Sequence, residues 1–179
     1  MPARTPNSTF KIELLDKKRH DRAAFSCGVP ALDAYLQRQA AQDVEKHAAV
    51  VYVALYTALS EPPVIAGYYT LSQFSIDFVL LPDELARRLP RCPVVPATLL
   101  GRLAVAAAFH GRGLGETLLF DALHRSLLQS AHIASAGVMV DAKDRGAAAF
   151  YAKYGFTPTP DADQRLFLPM KTIEHMFAD

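Results

Sequence analysis

Cysteine is scarce in this chain: Cys27 and Cys92 stand far apart, in no CxxC pair and beside no histidine cluster. That excludes a zinc site of the usual spacing and a disulfide framework, and it leads us to expect reduced thiols. Net charge is nearly absent too, +1 from 19 basic and 18 acidic residues, so the whole-chain field gives no reason to bind nucleic acid. Two local basic stretches remain, "DKKRHDR" (16–22) and "ARRLPRCP" (86–93), and solvated surface is the simplest reading of both. No apolar run reaches the length of a membrane span, and "MPARTPNSTFKIELL" lacks the apolar centre of a signal peptide. The expectation is a cytoplasmic chain with no membrane partner.

What is present is a core. With 179 residues, 51% hydrophobic and only 21% charged, the chain is no disordered segment and reads as one domain over 1–179. A domain of this size buries about 70% of the surface its unfolded chain exposes. "FKIELL" (10–15) predicts a strand, and a polar stretch then runs to Gly28 and Pro30. Ala31, Leu32, Tyr35, Leu36, Ala40 and Val44 fall near helical spacing, predicting a helix to about Glu45 with Pro30 at its start and Lys46 and His47 at its end. "AAVVYVALYT" (48–57) and "VIAGYYTLSQFSIDF" (64–78) predict a hairpin around the turn "SEPP" (60–63). "LPDELARRLP" (81–90) predicts a short helix, and Pro90, Pro93 and Pro96 an extended connector. "ATLLGRLAVA" (97–106) predicts a central strand. A helix follows with Leu114, Leu118, Leu119, Ala122, Leu123 and Leu127 on one face. "GVMVDA" (137–142), "RGAAAFYAKYGF" (145–156) and "RLFLPMK" (165–171) predict strand, helix closing on Gly155, and last strand. The class is α/β, a mixed sheet with helices on both faces.

Between the central strand and its helix lies "FHGRGLGETLL" (109–119), with Gly111, Gly113 and Gly115 at alternate positions. Unpaired N–H groups at a helix mouth attract anions, and glycine removes the Cβ that would hold a phosphate away. A Walker loop needs Gly-Lys before Ser or Thr, and the chain has Gly115-Glu116-Thr117. A dinucleotide loop needs a third glycine where Glu116 stands. An acyl-coenzyme A loop and a plain glycine turn are the readings left.

The loop resembles the phosphate motif of the GNAT superfamily of N-acetyltransferases, which runs Gln or Arg, two residues, Gly, one residue, Gly or Ala. Here the positions are His110, Gly113 and Gly115, with His110 as the departure. "AAAFYAKYGF" (147–156) resembles the superfamily's later helix, in which Phe-Tyr precedes Gly-Phe. The resemblance implies a splayed central sheet and acetyl-CoA as co-substrate, with no metal. Loop residues His110, Gly111, Arg112, Gly113, Leu114 and Gly115, strand residues Leu103, Ala104 and Val105, and Phe150 would hold it. It implies Tyr151 as the acid that protonates the departing thiolate; a phenol of ordinary pKa, about 10, is protonated at neutral pH. Tyr154, three residues on, is the rival.

"FSCGVPALDAYLQRQAAQD" (25–43), "GYYTLS" (67–72) and "LGRLAV" (100–105) resemble one branch, the acetyltransferase toxins of bacterial toxin–antitoxin pairs. With the two motifs above, the likeness covers most of residues 10–171. It implies acetylation of the α-amino group of aminoacyl-tRNA, which blocks translation. It also implies a cognate antitoxin of ribbon-helix-helix type, through which alone DNA is bound. Ala106 stands where many of these toxins carry Asp. RNA binding would draw on Lys17, Lys18, Arg19, Arg22, Arg87, Arg88, Arg91 and Arg102. An acetyltransferase for a small-molecule or protein amine, and a non-catalytic module for acyl-CoA or a partner, are the alternatives. Cys27 reads as a small buried residue, Asp33 as a cap or pairing group, and Asp141 as a base or a helix cap. His20, His47, His124, His132 and His175 read as surface positions. The acceptor amino acid and the oligomer stay open, a homodimer among the possibilities.

Overall fold

The computed structural model describes residues 9–58 and 61–178. Residues 1–8 of the amino-terminal stretch, and Ser60 of the expected turn, lie outside the described residues. The strands are β1 (Phe10–Leu14), β2 (Val50–Tyr56), β3 (Val64–Asp77), β4 (Val94–Val105), β5 (Gly137–Asp141), β6 (Thr157–Thr159) and β7 (Ala162–Pro169). The helices are α1 (Pro30–Ala34), α2 (Ala40–Glu45), α3 (Asp83–Ala86), α4 (Leu114–Ser130), α5 (Arg145–Lys153) and α6 (Met170–Met176). The sheet is mixed, in the order β1-β2-β3-β4-β5-β7-β6. The contacts divide the chain into two units, one of residues up to Leu71 with Arg102–Asp121, the other of Ser72–Gly101 with the residues from Ala122 on.

In the first unit, β1 and β2 pair antiparallel from Phe10↔Tyr56 to Leu14↔Tyr52. The expected hairpin forms from Val50↔Leu71 to Tyr56↔Val64, with a bulge at Ala54/Leu55. Its β-branched and aromatic residues explain this: Val51, Val53, Ile65, Tyr68 and Tyr69 are all buried. The helix expected over 31–45 has the right extent but is not one α-helix. Pro30 opens α1, a π-helical turn occupies Tyr35–Gln39, and α2 follows. The Ala40 N–H bonds the Tyr35 carbonyl, five residues back. Tyr35, Leu36 and Ala40 are buried, whereas Ala31 faces solvent. At the far end His47 takes a φ of 55°, and the chain turns into β2.

In the second unit, β5 pairs parallel with β4 from Thr98↔Val138 to Leu100↔Val140, and antiparallel with β7 from Gly137↔Pro169 to Asp141↔Arg165. Ile76, Leu81, Val95, Ala97, Met139 and Phe167 form a buried cluster there. Several expectations need correction. The helix over 81–90 shrinks to four residues, because a 3-10 turn at Phe78–Leu80 and Pro82 precede it and Pro90 follows. The extended connector ends early: β4 begins at Val94 and takes in Pro96, whose carbonyl accepts the Ala136 N–H. The helix over 145–156 stops at Lys153, where Gly155 (φ 93°) ends it. Asp144, not Asp141, caps that helix, accepting the Ala147 N–H at 2.8 Å. Thr157–Thr159 forms an unexpected edge strand on β7. The last strand ends at Pro169, so Met170 and Lys171 belong to α6, not to the strand over 165–171.

Candidate functional site

The glycine loop belongs to the first unit. β4 reaches Val105, and the Ala106 and Ala107 N–H groups donate to the carbonyls of Ala66 and Ser26. A 3-10 turn at Ala107–Phe109 follows, with Phe109 packed on Phe10 and Tyr56. Gly111 and Gly113 adopt φ of 74° and 75°, a region that favours glycine. Gly115 does not: it lies inside the first turn of α4, so only two of the three glycines serve the backbone turn. The Gly113 carbonyl accepts the Thr117 N–H at 3.1 Å and the Thr117 hydroxyl at 3.2 Å, which seats the loop on the helix. The first N–H groups of α4 have no partner inside the helix and carry its positive dipole end. A Cβ added at Gly111 or Gly113 would meet nothing within 4 Å, so space over this backbone is open to an anion.

His110, the departure from the motif, closes the loop from the side. Its Nε2–H donates to the Val105 carbonyl at 2.7 Å, tying the loop to the end of β4. Arg112 lies over the Phe109 ring, 5.2 Å from its centroid, and is exposed. Leu114 is buried beneath the loop. On β4, Ala104 is buried while Leu103 and Val105 are half-buried. The β5 ladder spans Thr98–Leu100 alone, and β4 continues beyond it.

Tyr151 belongs to the second unit, on α5. Its ring is enclosed by Phe150 at 5.2 Å and Phe156 at 5.5 Å, both edge-on. Burial pushes its phenol up to about 12. Its hydroxyl makes no hydrogen bond among the described residues. Since no buried side-chain oxygen there is left unpartnered, that hydroxyl opens to solvent. A protonated, unengaged phenol at a surface opening can give its proton to an incoming base. Phe150 is half-buried, and Tyr154 packs edge-on against it at 5.3 Å with the Lys153 ammonium over its ring.

The basic residues differ in what surrounds them. Lys17 pairs with Glu45, and Arg19 reaches Glu13 at 2.9 Å. Lys18 is exposed on the same turn and Arg22 half-exposed. Arg87, Arg88 and Arg91 are exposed at and beyond the end of α3. Arg102 differs from all of these, its Cζ 3.6 Å from the centroid of the Tyr35 ring. Pattern reading gave no signal for that stack, because its partner lies far away in the chain.

His20 is not at the surface. The residue is 4% exposed, with Nδ1 accepting the Asp16 N–H and Nε2 donating to Glu13, each at 3.0 Å. The Lys11 ammonium holds the Glu13 carboxyl low, with burial opposing and His20 and Arg19 assisting. His47, His124, His132 and His175 are exposed. Cys27 is buried, its thiol raised by desolvation and by Asp33, which accepts the Cys27 N–H at 2.8 Å. Asp141 pairs with Arg165 at 2.8 Å. Among the described residues no cluster of three potential metal ligands occurs.

Comparison with known proteins gives the family. The family description "Acetyltransferase (GNAT) domain" matches residues 95–173. A probable toxin TacT of Sinorhizobium fredii is 31% identical over 172 residues, covering 92% of this chain and 93% of the relative. A tRNA-acetylating toxin of Mycobacterium tuberculosis is 31% identical over 159 residues, covering 89% and 92%. AtaT complexed with acetyl-methionyl-tRNAfMet superposes with a TM-score of 0.86 at 27% identity, covering 94% and 99%. Other solved neighbours are AtaT with its antitoxin AtaR and acetyl-CoA, and the KacTA and AtaT–AtaR complexes on DNA. Loop, strand and tyrosine helix thus lie inside one fold shared over nearly the whole chain, and the protein belongs to the GNAT acetyltransferases, in the branch of the TacT-like tRNA-acetylating toxins.

Proposed function

We propose that this protein transfers the acetyl group of acetyl-CoA to the α-amino group of aminoacyl-tRNA, and so stops translation. The observation that carries the reading is likeness at 31% identity over nine-tenths of the chain to a toxin named for acetylating tRNA. The residues fit the co-substrate. Gly111, Gly113 and the first N–H groups of α4 offer a cradle for a pyrophosphate, and His110 holds the cradle against β4. Leu103, Ala104 and Val105 extend β4 past its ladder with β5, where strand N–H groups can polarise a thioester carbonyl. The substrate amine arrives neutral and bonds to the acetyl carbon, and the C–S bond breaks. The amine's surplus proton goes to water, Tyr151 donates its proton to the departing sulfur, and the resulting phenolate takes a proton back from water. Solved tyrosine-to-phenylalanine variants of KacT and AtaT fit a tyrosine in such a role.

The likeness to the AtaT–AtaR and KacTA complexes also supports a cognate antitoxin for this chain, with DNA contact made through it; that this antitoxin is of ribbon-helix-helix type rests on the sequence resemblance alone. Acetylation of charged tRNA would place its action in the cytoplasm. No described helix is long and apolar enough to cross a membrane. We assign it one catalytic domain and leave a homodimer compatible with that assignment.

The test supplies labelled acetyl-CoA and a pool of charged tRNA to the purified protein and reads label in RNA-bound aminoacyl esters. Label is expected. None on RNA, with acetyl-CoA shown to bind, would redirect the reading to a small-molecule or protein amine. A second expectation concerns the loop. Alanine at Gly111 and Gly113 together imposes left-handed backbone on L-residues, about 1–2 kcal/mol each. It also sets methyl groups in the open space over the cradle. Acetyl-CoA affinity, measured by calorimetry, is expected to fall at least tenfold while the fold is retained; unchanged affinity would remove the loop from the binding site.

A further inference from the structure

Arg102 stands on β4 immediately before Leu103–Val105 and is half-buried. Its guanidinium lies on the Tyr35 ring, and that ring is itself fixed. The Tyr35 hydroxyl donates to Asp43 Oδ2 at 2.8 Å, and Gln39 Nε2 donates to Asp43 Oδ1 at 2.8 Å. Both carboxylate oxygens are engaged in this way. The bond from Gln39, then that from Tyr35 and the Arg102 charge through space, hold the Asp43 carboxyl low against desolvation, and Asp43 forms no ion pair with Arg102. Tyr35 also stacks with Tyr68 at 6.2 Å and 18°, and the Tyr68 hydroxyl donates to the Leu32 carbonyl at 2.7 Å. The π-helical turn carries Tyr35 and Gln39, and such turns recur at functional sites.

A surface arginine on a flexible stem loses rotamer freedom whenever it binds something. Arg102 has lost much of that freedom in advance. Stacking occupies a face of the guanidinium and leaves its edge N–H donors, a fork matched to phosphate oxygens. Direction along β4 narrows the choice of phosphate. From Arg102 the strand runs through Leu103–Val105 to the glycine loop, so the proposed pyrophosphate cradle lies at the other end of the acetyl-binding segment. At about 3.3 Å per residue, Arg102 is some 7–10 Å along the strand from the Ala104–Val105 backbone. With the proposed pyrophosphate at the loop end, the Arg102 end of the segment is left for the acceptor, whose nearest negative charge is the last phosphodiester of the tRNA.

We infer that Arg102 contacts the phosphodiester preceding the 3′-terminal nucleoside of the charged tRNA, with Tyr35, Gln39 and Asp43 as the positioning residues that hold its guanidinium. This rests on the proposed acetylation of aminoacyl-tRNA. Filter binding of charged tRNA across a sodium chloride series, beside acetyl-CoA calorimetry, tests it. Arg102→Gln is expected to raise the Kd for charged tRNA about tenfold, and to flatten the slope of log Kd against log salt by about 0.7–0.9, the loss of one phosphate contact. Tyr35→Leu is expected to raise Kd about threefold with the slope retained, since the charge remains. Arg102→Lys keeps the charge without the fork and is expected to recover at most half of the loss, which keeps the test open if the glutamine variant fails to fold. An unchanged slope with Kd within twofold would overturn the assignment. So would equal losses for tRNA and acetyl-CoA. Wild-type protein that acetylates no charged tRNA would overturn the functional reading itself, a result distinct from either.

Discussion

Replacing Tyr151 by phenylalanine is expected to lower kcat for acetyl transfer by about 10²–10⁴, the usual contribution of a positioned general acid. Acetyl-CoA affinity should stay within about twofold, because the ring and its contacts with Phe150 and Phe156 are kept. The direction of the pKa sharpens this. Burial alone raises the phenol to about 12, so Tyr151 keeps its proton throughout the neutral and mildly alkaline range. As an acid it is depleted only as pH climbs towards 12. Between pH 8 and 10 the wild-type kcat should therefore show no fall attributable to this group. A descending limb in that window that disappears in Tyr151→Phe would refute the raised pKa while keeping Tyr151 as the acid, whereas a variant with full kcat would refute the role itself. The same shift ties stability to pH with a known sign. The raised phenol contributes fully below about pH 10, where the unfolded tyrosine is protonated, and the contribution is lost as pH rises through about 12.

The second large effect lies away from the chemistry. Gly137 opens β5 and pairs with Pro169 of β7. A Cβ there would sit 2.3 Å from the Leu168 carbonyl oxygen and 2.4 Å from Phe167 Cζ, a ring that is wholly buried. Neither neighbour is the loose end of a flexible side chain. Strand or ring must move, and Gly137→Ala is expected to cost roughly 3 kcal/mol or more, beyond ordinary overpacking. Urea unfolding measures it. Gly146→Ala is the contrast: it lies in the first turn of α5, its nearest contact is Asp144 Oδ1 at 3.3 Å, and alanine favours helix by about 1 kcal/mol. A Gly137→Ala midpoint equal to that of wild type would show that the strand relaxes freely.

Where the chain announced its structure, it did so through local pattern. β2 and the first half of β3 are β-branched and aromatic, and α4 repeats leucine on one face behind two left-handed glycines, so each was legible. α6 was missed because "RLFLPMK" is continuous in hydropathy. Its breaking residue, Pro169, ends β7 and opens the helix, and Ile173 alone of that helix is fully buried. His20 was misjudged because its sequence neighbours are charged, whereas its surroundings are the Asp16 backbone and the Glu13 side chain. The π-helical turn at Tyr35–Gln39 had no signal, since its residues fit an α-helical face equally well. Of the candidate site, the glycine loop and the tyrosine helix could be read in advance. The bond from His110 to Val105 and the seat of Arg102 on Tyr35 depend on atoms that approach only after folding.

Gly67 carries a consequence for how this protein can change. A methyl group at that point of β3 would lie 2.8 Å from the Ala104 carbonyl oxygen and 2.8 Å from Leu118 Cδ1. The first belongs to the strand proposed to polarise the thioester, the second to the helix whose mouth is proposed to take the pyrophosphate. Both are gauged against the same missing side chain. Of the two, the Ala104 carbonyl is backbone and yields only if the strand moves, whereas Leu118 Cδ1 is the end of a side chain and can turn away. A side chain at position 67 would therefore press first on the backbone proposed to hold the acyl group, before it disturbed the helix at the loop.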